Sequence, residues 1–105
     1  MKKIINGLTY NTETAERLCD TSNDLNGSDF GRDDSALYRT RNGRFFLLGN
    51  GGANSRWSIS TGQNSWRGTT TDDIHAIEDY EARALVEAHG SAALYERIFG
   101  EAEEA

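Results

Sequence analysis

Two histidines, one cysteine and seventeen carboxylates are the side chains from which this 105-residue chain could build catalysis or metal binding. His75 and His89 are far apart, and neither has a Cys or a second His at ligand spacing, so no zinc site is expected. Carboxylates could serve as general acid and base, but they are too numerous for any pair to stand out, and a solvated helix face explains most of them. No nucleophile motif of the Gly-x-Ser-x-Gly kind occurs. The run Gly49-Asn50-Gly51-Gly52-Ala53-Asn54-Ser55 has the glycines of a phosphate cradle. It lacks the Lys-Ser/Thr end and an immediately following helix, so it reads as a loop bending away from a sheet. No catalytic residue, cofactor or metal follows, and the chain is expected not to be an enzyme.

Charge says more than any of these motifs. Residues 35–71 hold no carboxylate and five arginines, Arg39, Arg41, Arg44, Arg56 and Arg67. Residues 13–34 hold seven acids, among them Asp29, Asp33 and Asp34, against Arg17 and Arg32. Residues 72–105 hold ten, among them Glu78, Asp79, Glu81 and Glu87, against Arg83 and Arg97. Folding must set acidic helices either against a basic central sheet or opposite to it, and in the second case the molecule is electrically two-faced. The net charge of −6 disfavours simple adhesion to nucleic acid or to an anionic membrane.

The length fits one domain with one modest core, here residues 1–100, followed by an acidic tail at 101–105. A hydrophobic content of 36% and a mean hydropathy of −0.69 are low, yet ten aromatics and clear periodic segments argue for a folded chain. Cys19 is alone, so no disulfide forms within the chain and a reducing compartment is expected. No apolar run is long enough for a signal peptide or a membrane span, which places the protein in the cytosol with no membrane partner.

Local signals predict the elements. Asn6-Gly7 between residues 2–5 and 8–10 predicts an opening hairpin, because that dipeptide tolerates the positive φ of a tight turn. Thr12 is placed to cap a helix on which Ala15, Leu18 and Cys19 share a face, so Cys19 reads as a small buried apolar group. Residues 20–34 read as an acidic loop. A strand at 74–77 precedes a helix at 78–89 with Tyr80, Ala84, Leu85 and Ala88 on one side, and Gly90 stops it. Ser91 caps a last helix whose Leu94, Tyr95, Ile98 and Phe99 form two i, i+4 apolar pairs. The fold class is α+β, a small antiparallel sheet of about four or five strands with flanking helices, two of them C-terminal.

A second Asn-Gly, Asn42-Gly43, separates two strand-like runs. As a two-residue turn it pairs Arg41 with Arg44, Thr40 with Phe45, Arg39 with Phe46, Tyr38 with Leu47 and Leu37 with Leu48. One face then carries Tyr38, Thr40, Phe45 and Leu47 as core, and the other gathers Arg39, Arg41 and Arg44 with Leu37, Phe46 and Leu48. Trp57 and Trp66 lie amid Ser, Thr, Gly, Gln and Asn, a mixture that suits a contact surface as well as a lid over the core. At least one of them is expected to pack.

The opening Lys3-Ile4-Ile5-Asn6-Gly7-Leu8-Thr9-Tyr10-Asn11-Thr12-Glu13-Thr14-Ala15 resembles a family of small proteins of bacteriophages, prophages and other mobile elements. So do Leu37-Tyr38-Arg39-Thr40 with Phe45-Phe46-Leu47 and Gly51-Gly52-Ala53, and the closing Tyr95-Glu96-Arg97-Ile98-Phe99-Gly100. Nearly the whole chain is covered in the same order, with residues 55–66 and 22–34 the more individual parts. The resemblance implies no catalytic residue. It implies a small acidic accessory protein that binds host machinery, as anti-CRISPR proteins do. An acidic surface can imitate the phosphate backbone and occupy the Lys/Arg grooves with which CRISPR effectors hold DNA. The expected partner is therefore a CRISPR-Cas effector, type I favoured, with no direct nucleic-acid binding. The expected partner-binding residues are Asp29, Asp33, Asp34, Glu78, Asp79, Glu81, Glu87, Arg39, Arg41, Arg44, Trp57 and Trp66. The alternative is a small nucleic-acid-binding or regulatory protein, whose arginines hold phosphate while Phe46, Trp57 and Trp66 stack on bases.

Overall fold

The computed structural model describes residues 1–105. The chain opens with strands β1 (Lys2–Ile5) and β2 (Leu8–Asn11), joined by Asn6 at φ 51° and Gly7 at φ 78°. Both turn residues have positive φ, as a two-residue hairpin turn of matching twist requires, so the expected opening hairpin is present. Its register sets Ile5 opposite Leu8 and Lys3 opposite Tyr10.

The next segment corrects the sequence reading. Residues 12–19 form no helix: a turn on Asn11, whose carbonyl accepts from Ala15 N at 3.0 Å, leads into strand β3 (Glu16–Asp20). Thr12 caps nothing helical; its hydroxyl meets the N-terminal ammonium at 2.8 Å. The helix-like spacing has a different cause. A bulge between Arg17 and Cys19 breaks the alternation, and both Leu18 and Cys19 pack towards the same core cluster. Long-range pairing with the neighbouring strand thus overrides a weak local preference. Cys19 is half-buried, and desolvation pushes its thiol above the ordinary value, with Arg17 pulling it down and Asp20 adding to the rise.

β3, β4 (Asp33–Arg39), β5 (Phe45–Gly51) and β8 (Asp73–Ile77) form one antiparallel sheet in the order β3-β4-β5-β8. The β4–β5 register differs by one residue from the expected one. Arg39 faces Phe45, Tyr38 faces Phe46 and Leu37 faces Leu47. Thr40 N donates to Arg44 O at 2.8 Å, Gly43 N donates to Thr40 O at 2.9 Å, and of Asn42 and Gly43 only the glycine takes positive φ, at 84°. This is the three-residue loop with a left-handed glycine, not the two-residue turn. The Thr40 hydroxyl helps to hold it by accepting from Arg44 N at 3.1 Å. β5 also runs through Gly49 and Gly51, so the predicted loop at 49–55 starts later than expected.

Both faces of the sheet are covered. On one, Tyr10 of the opening hairpin packs on Phe46 and Ile74, with Tyr38 stacked on Phe46 at 5.1 Å. On the other, Leu37, Phe45, Leu47 and Trp57 meet Ala82 and Val86. The latter two come from α1 (Asp79–His89), which is followed by α2 (Ala92–Phe99). α1 is turned away from its expected orientation. Ala82 and Val86 face inward, Leu85 is partly buried, and Tyr80 is 71% exposed with Ala84 and Ala88 also outside. Val86 and Leu85 supply more apolar area than the alanines, and that selects the face. α2 follows expectation: Ser91 Oγ accepts from Leu94 N at 3.0 Å, and Leu94, Tyr95, Ile98 and Phe99 pack on the core. A second arm, β6 (Ile59–Gly62) with β7 (Ser65–Arg67), stands apart from the main sheet.

Arg32, not singled out by sequence, is 8% exposed and ties three segments together. Its Nη1 donates to Asp34 Oδ2 at 2.6 Å and Asn50 Oδ1 at 2.7 Å, and its Nη2 donates to the Thr69 carbonyl at 2.9 Å. No helix is long and apolar enough to cross a membrane.

Candidate partner-binding surface

The register change separates the arginines that the two-residue turn would have gathered. Arg39 lies on the helix-side face with Phe45, and its Nη2 is 3.8 Å from Glu16 Oε1. Arg97 of α2 reaches the same carboxylate at 3.0 Å. Arg56 lies 3.6 Å from Glu81. At these points acidic segments do fold against the basic stretch. Arg41 and Arg44 sit exposed at the turn, Arg67 is exposed on β7, and none of the three joins an ion pair.

The expected acids fall into three settings. Asp33 and Asp34 are tied to the fold by side-chain contacts: Asp33 Oδ1 accepts from Trp57 Nε1 at 2.8 Å, and Asp34, though exposed, is held by Arg32. Asp29 is exposed on the loop before β4, and its carboxylate accepts from Gly31 N at 2.7 Å. Glu78, Asp79, Glu81 and Glu87 line α1; Asp79 pairs with Arg83 at 3.8 Å, whereas Glu78 and Glu87 are exposed and unpaired. The two tryptophans also part. Trp57 is 2% exposed and supports the core from within, so it offers no contact surface, while Trp66 is 57% exposed on the second arm.

Counting by layer isolates the charge. Residues 78–105, the helical layer and tail, hold eight carboxylates against Arg83 and Arg97, while residues 1–77 hold nine acids against nine Lys and Arg. The formal charge of −6 is therefore divided equally between the helical layer, residues 78–100 at −3, and the tail, residues 101–105 at −3. Both parts are net acidic beside residues 1–77, whose charges balance.

A groove of about 940 Å³ runs along the outer edge of β8. It brings Arg44, Glu78, Asp79 and Glu81 of the expected residues together with Ile4, Ile5 and Leu8 of the opening hairpin, which sequence did not connect with them. His75 lies in this groove, stacked on Trp57 with ring centroids 4.2 Å apart. Burial lowers the His75 pKa below the ordinary 6.5; Asp73 and Asp33 oppose this and the charges of Lys3 and Arg56 add to it. Burial would raise Asp73, but the hydrogen bond from Lys3 Nζ at 2.9 Å, the Ile74 N–H and the charges of Lys3 and His75 outweigh it and leave the carboxyl low. No group of three or more His, Cys, Asp or Glu side chains is placed to hold a metal ion.

A pH dependence follows from His75. The folded state prefers the neutral ring, so as pH falls below 6.5 the unfolded chain takes up the proton first and stability declines until the folded pKa is passed. His75→Gln should lose less stability than the parent chain between about pH 7.5 and about pH 5.5 in urea unfolding. Equal losses in the two chains would contradict this assignment. Comparison of the chain with protein-family models, with curated proteins and with solved structures gives no match.

Proposed function

We propose that this chain is a non-catalytic inhibitor carried by a phage or mobile element, which binds a host CRISPR-Cas effector, type I favoured, in the host cytosol and keeps DNA out of it. The observation that carries the reading is the confinement of the entire net charge to residues 78–105, the helical layer and the tail that follows it. Along α1, Glu78, Asp79, Glu81 and Glu87 span roughly 13 Å at the helical rise per residue. They point to several sides of the helix, with Glu78 and Glu87 exposed and unpaired. An acidic surface of this kind suits a Lys/Arg groove built for DNA and would draw it in from a distance. The resemblance of the opening and closing segments to mobile-element proteins supports the same reading.

The test is displacement. Labelled target duplex is bound to a purified type I surveillance complex and the chain is titrated in. An equimolar amount should empty the complex, and unchanged DNA occupancy under a large excess of chain would sink the proposal. A second reading, direct nucleic-acid binding, draws on Arg41, Arg44 and Trp66, which are exposed and free of ion pairs or core contacts. It predicts that the chain alone shifts single- or double-stranded oligonucleotides, and that changing both arginines to alanine abolishes the shift.

A further inference from the structure

The edge of the central sheet, beside the first turn of α1, offers a site made of main-chain groups. β8 stands last in the order β3-β4-β5-β8, so one side of its backbone has no neighbouring strand. The ladder phase identifies the groups on that side. Thr40 N bonds Arg44 O across the β4–β5 turn, so by alternation Phe46 and Leu48 turn their main-chain groups to β4, and Phe45, Leu47 and Gly49 turn theirs to β8. Opposite the latter stand Ile77, His75 and Asp73. Ile74 and Ala76 therefore direct N–H and C=O away from the sheet.

Ile74 is already occupied. Its N–H donates to Asp73 Oδ1 at 2.8 Å, and its carbonyl accepts from Lys3 Nζ at 3.3 Å. Ala76 has no such cover: neither of its main-chain groups joins a turn, loop or side-chain hydrogen bond. An unpaired strand edge is a template for another chain. Here the edge is recessed, because Ala76 lies in the groove between the opening hairpin and the first turn of α1. Ala76 is exposed there, so a single extended segment can reach it between the two walls.

We propose that this groove takes an extended segment of a partner protein as an added strand beside β8, in the manner of β-augmentation. Side chains on the added strand alternate between the walls. The residue opposite Ala76 points to the hairpin, where Ile4 is 68% and Leu8 38% exposed, and should be apolar. Its neighbours point to the helix side. Lys3 and Arg56 are committed to Asp73 and Glu81, which leaves Glu78, exposed at the Ile77 end of the strand, as the unpaired charge. The segment recognised is thus an apolar residue with a basic residue beside it. Lys3, fixed on the Ile74 carbonyl, closes the Asp73 end and keeps the added strand short.

The probe is a capped peptide with valine at alternate positions and lysine between them, titrated into the ¹⁵N-labelled full chain. Binding should slow hydrogen exchange of the Ala76 amide about tenfold or more. A peptide N-methylated at its valines should bind roughly tenfold more weakly, because it cannot donate to the Ala76 carbonyl. Ala76→Pro should weaken the unmodified peptide similarly, since the lost N–H is one the ladder to β5 does not use. If that variant fails to fold, the N-methylated peptide on the unaltered chain decides alone. Unchanged exchange at Ala76, or undiminished binding of the N-methylated peptide, would overturn the proposal; so would self-association through β8 without peptide. Glu78, Asp79, Glu81 and Glu87 stay in place throughout, so the outcome is independent of the DNA-displacement assay.

Discussion

Replacing Phe46 with alanine is expected to cost about 3–5 kcal/mol, the range for deleting a large buried aromatic. Phe46 is fully buried, stacks on Tyr38 at 5.1 Å and receives the Tyr10 ring edge-on at 5.6 Å. It is the point at which the opening hairpin is fixed to the central sheet, and only Tyr10 and Ile74 share the buried centre of that small cluster. Few neighbours are available to collapse into the cavity, so relaxation recovers little. A domain of this size holds about 5–15 kcal/mol in all, and the variant should shift its urea midpoint far towards zero or fail to fold. Phe30→Ala is the control, because Phe30 is 69% exposed and its loss should stay within about 0.5 kcal/mol. Comparable losses from the two changes would mean that the hairpin is not packed as described.

The parts of the fold legible in sequence were those fixed by local chemistry. Asn6-Gly7 can adopt the positive φ of a tight turn, and Ser91 with Leu94, Tyr95, Ile98 and Phe99 carries both a cap and an amphipathic stripe. The failures came from contacts distant in sequence. At residues 16–20 the edge of β4 demands a partner, and a bulge lets Leu18 and Cys19 imitate helical spacing. At Asn42-Gly43 the dipeptide admits two loops, and the choice depends on the Thr40 hydroxyl and on stacking Tyr38 against Phe46. α1 misled because Tyr80 counts as apolar in a pattern but stands outside the core. The acidic segregation was visible from the start. The groove was not, because its walls come from β1, β8 and the start of α1, which no spacing rule connects.

Neutralising Glu78, Asp79, Glu81 and Glu87 together, as Gln, Asn, Gln and Gln, is expected to slow association with the target complex about tenfold or more at low salt, the lower part of the range for electrostatic steering. The fold should survive. Only two of the four acids make ion pairs, Asp79 with Arg83 and Glu81 with Arg56. Such partly exposed pairs contribute about 0.2–1 kcal/mol each, and less once salt screens them. The substitutions leave Ala82 and Val86, the buried residues of α1, untouched. The measurement that tests the central claim most directly is the association rate of parent chain and four-site variant with a purified type I surveillance complex, followed across a series of ionic strengths. The charged helical layer predicts a fast parent rate that falls steeply with salt, and a variant that starts slow and responds weakly. Equal rates with equal salt slopes would contradict it.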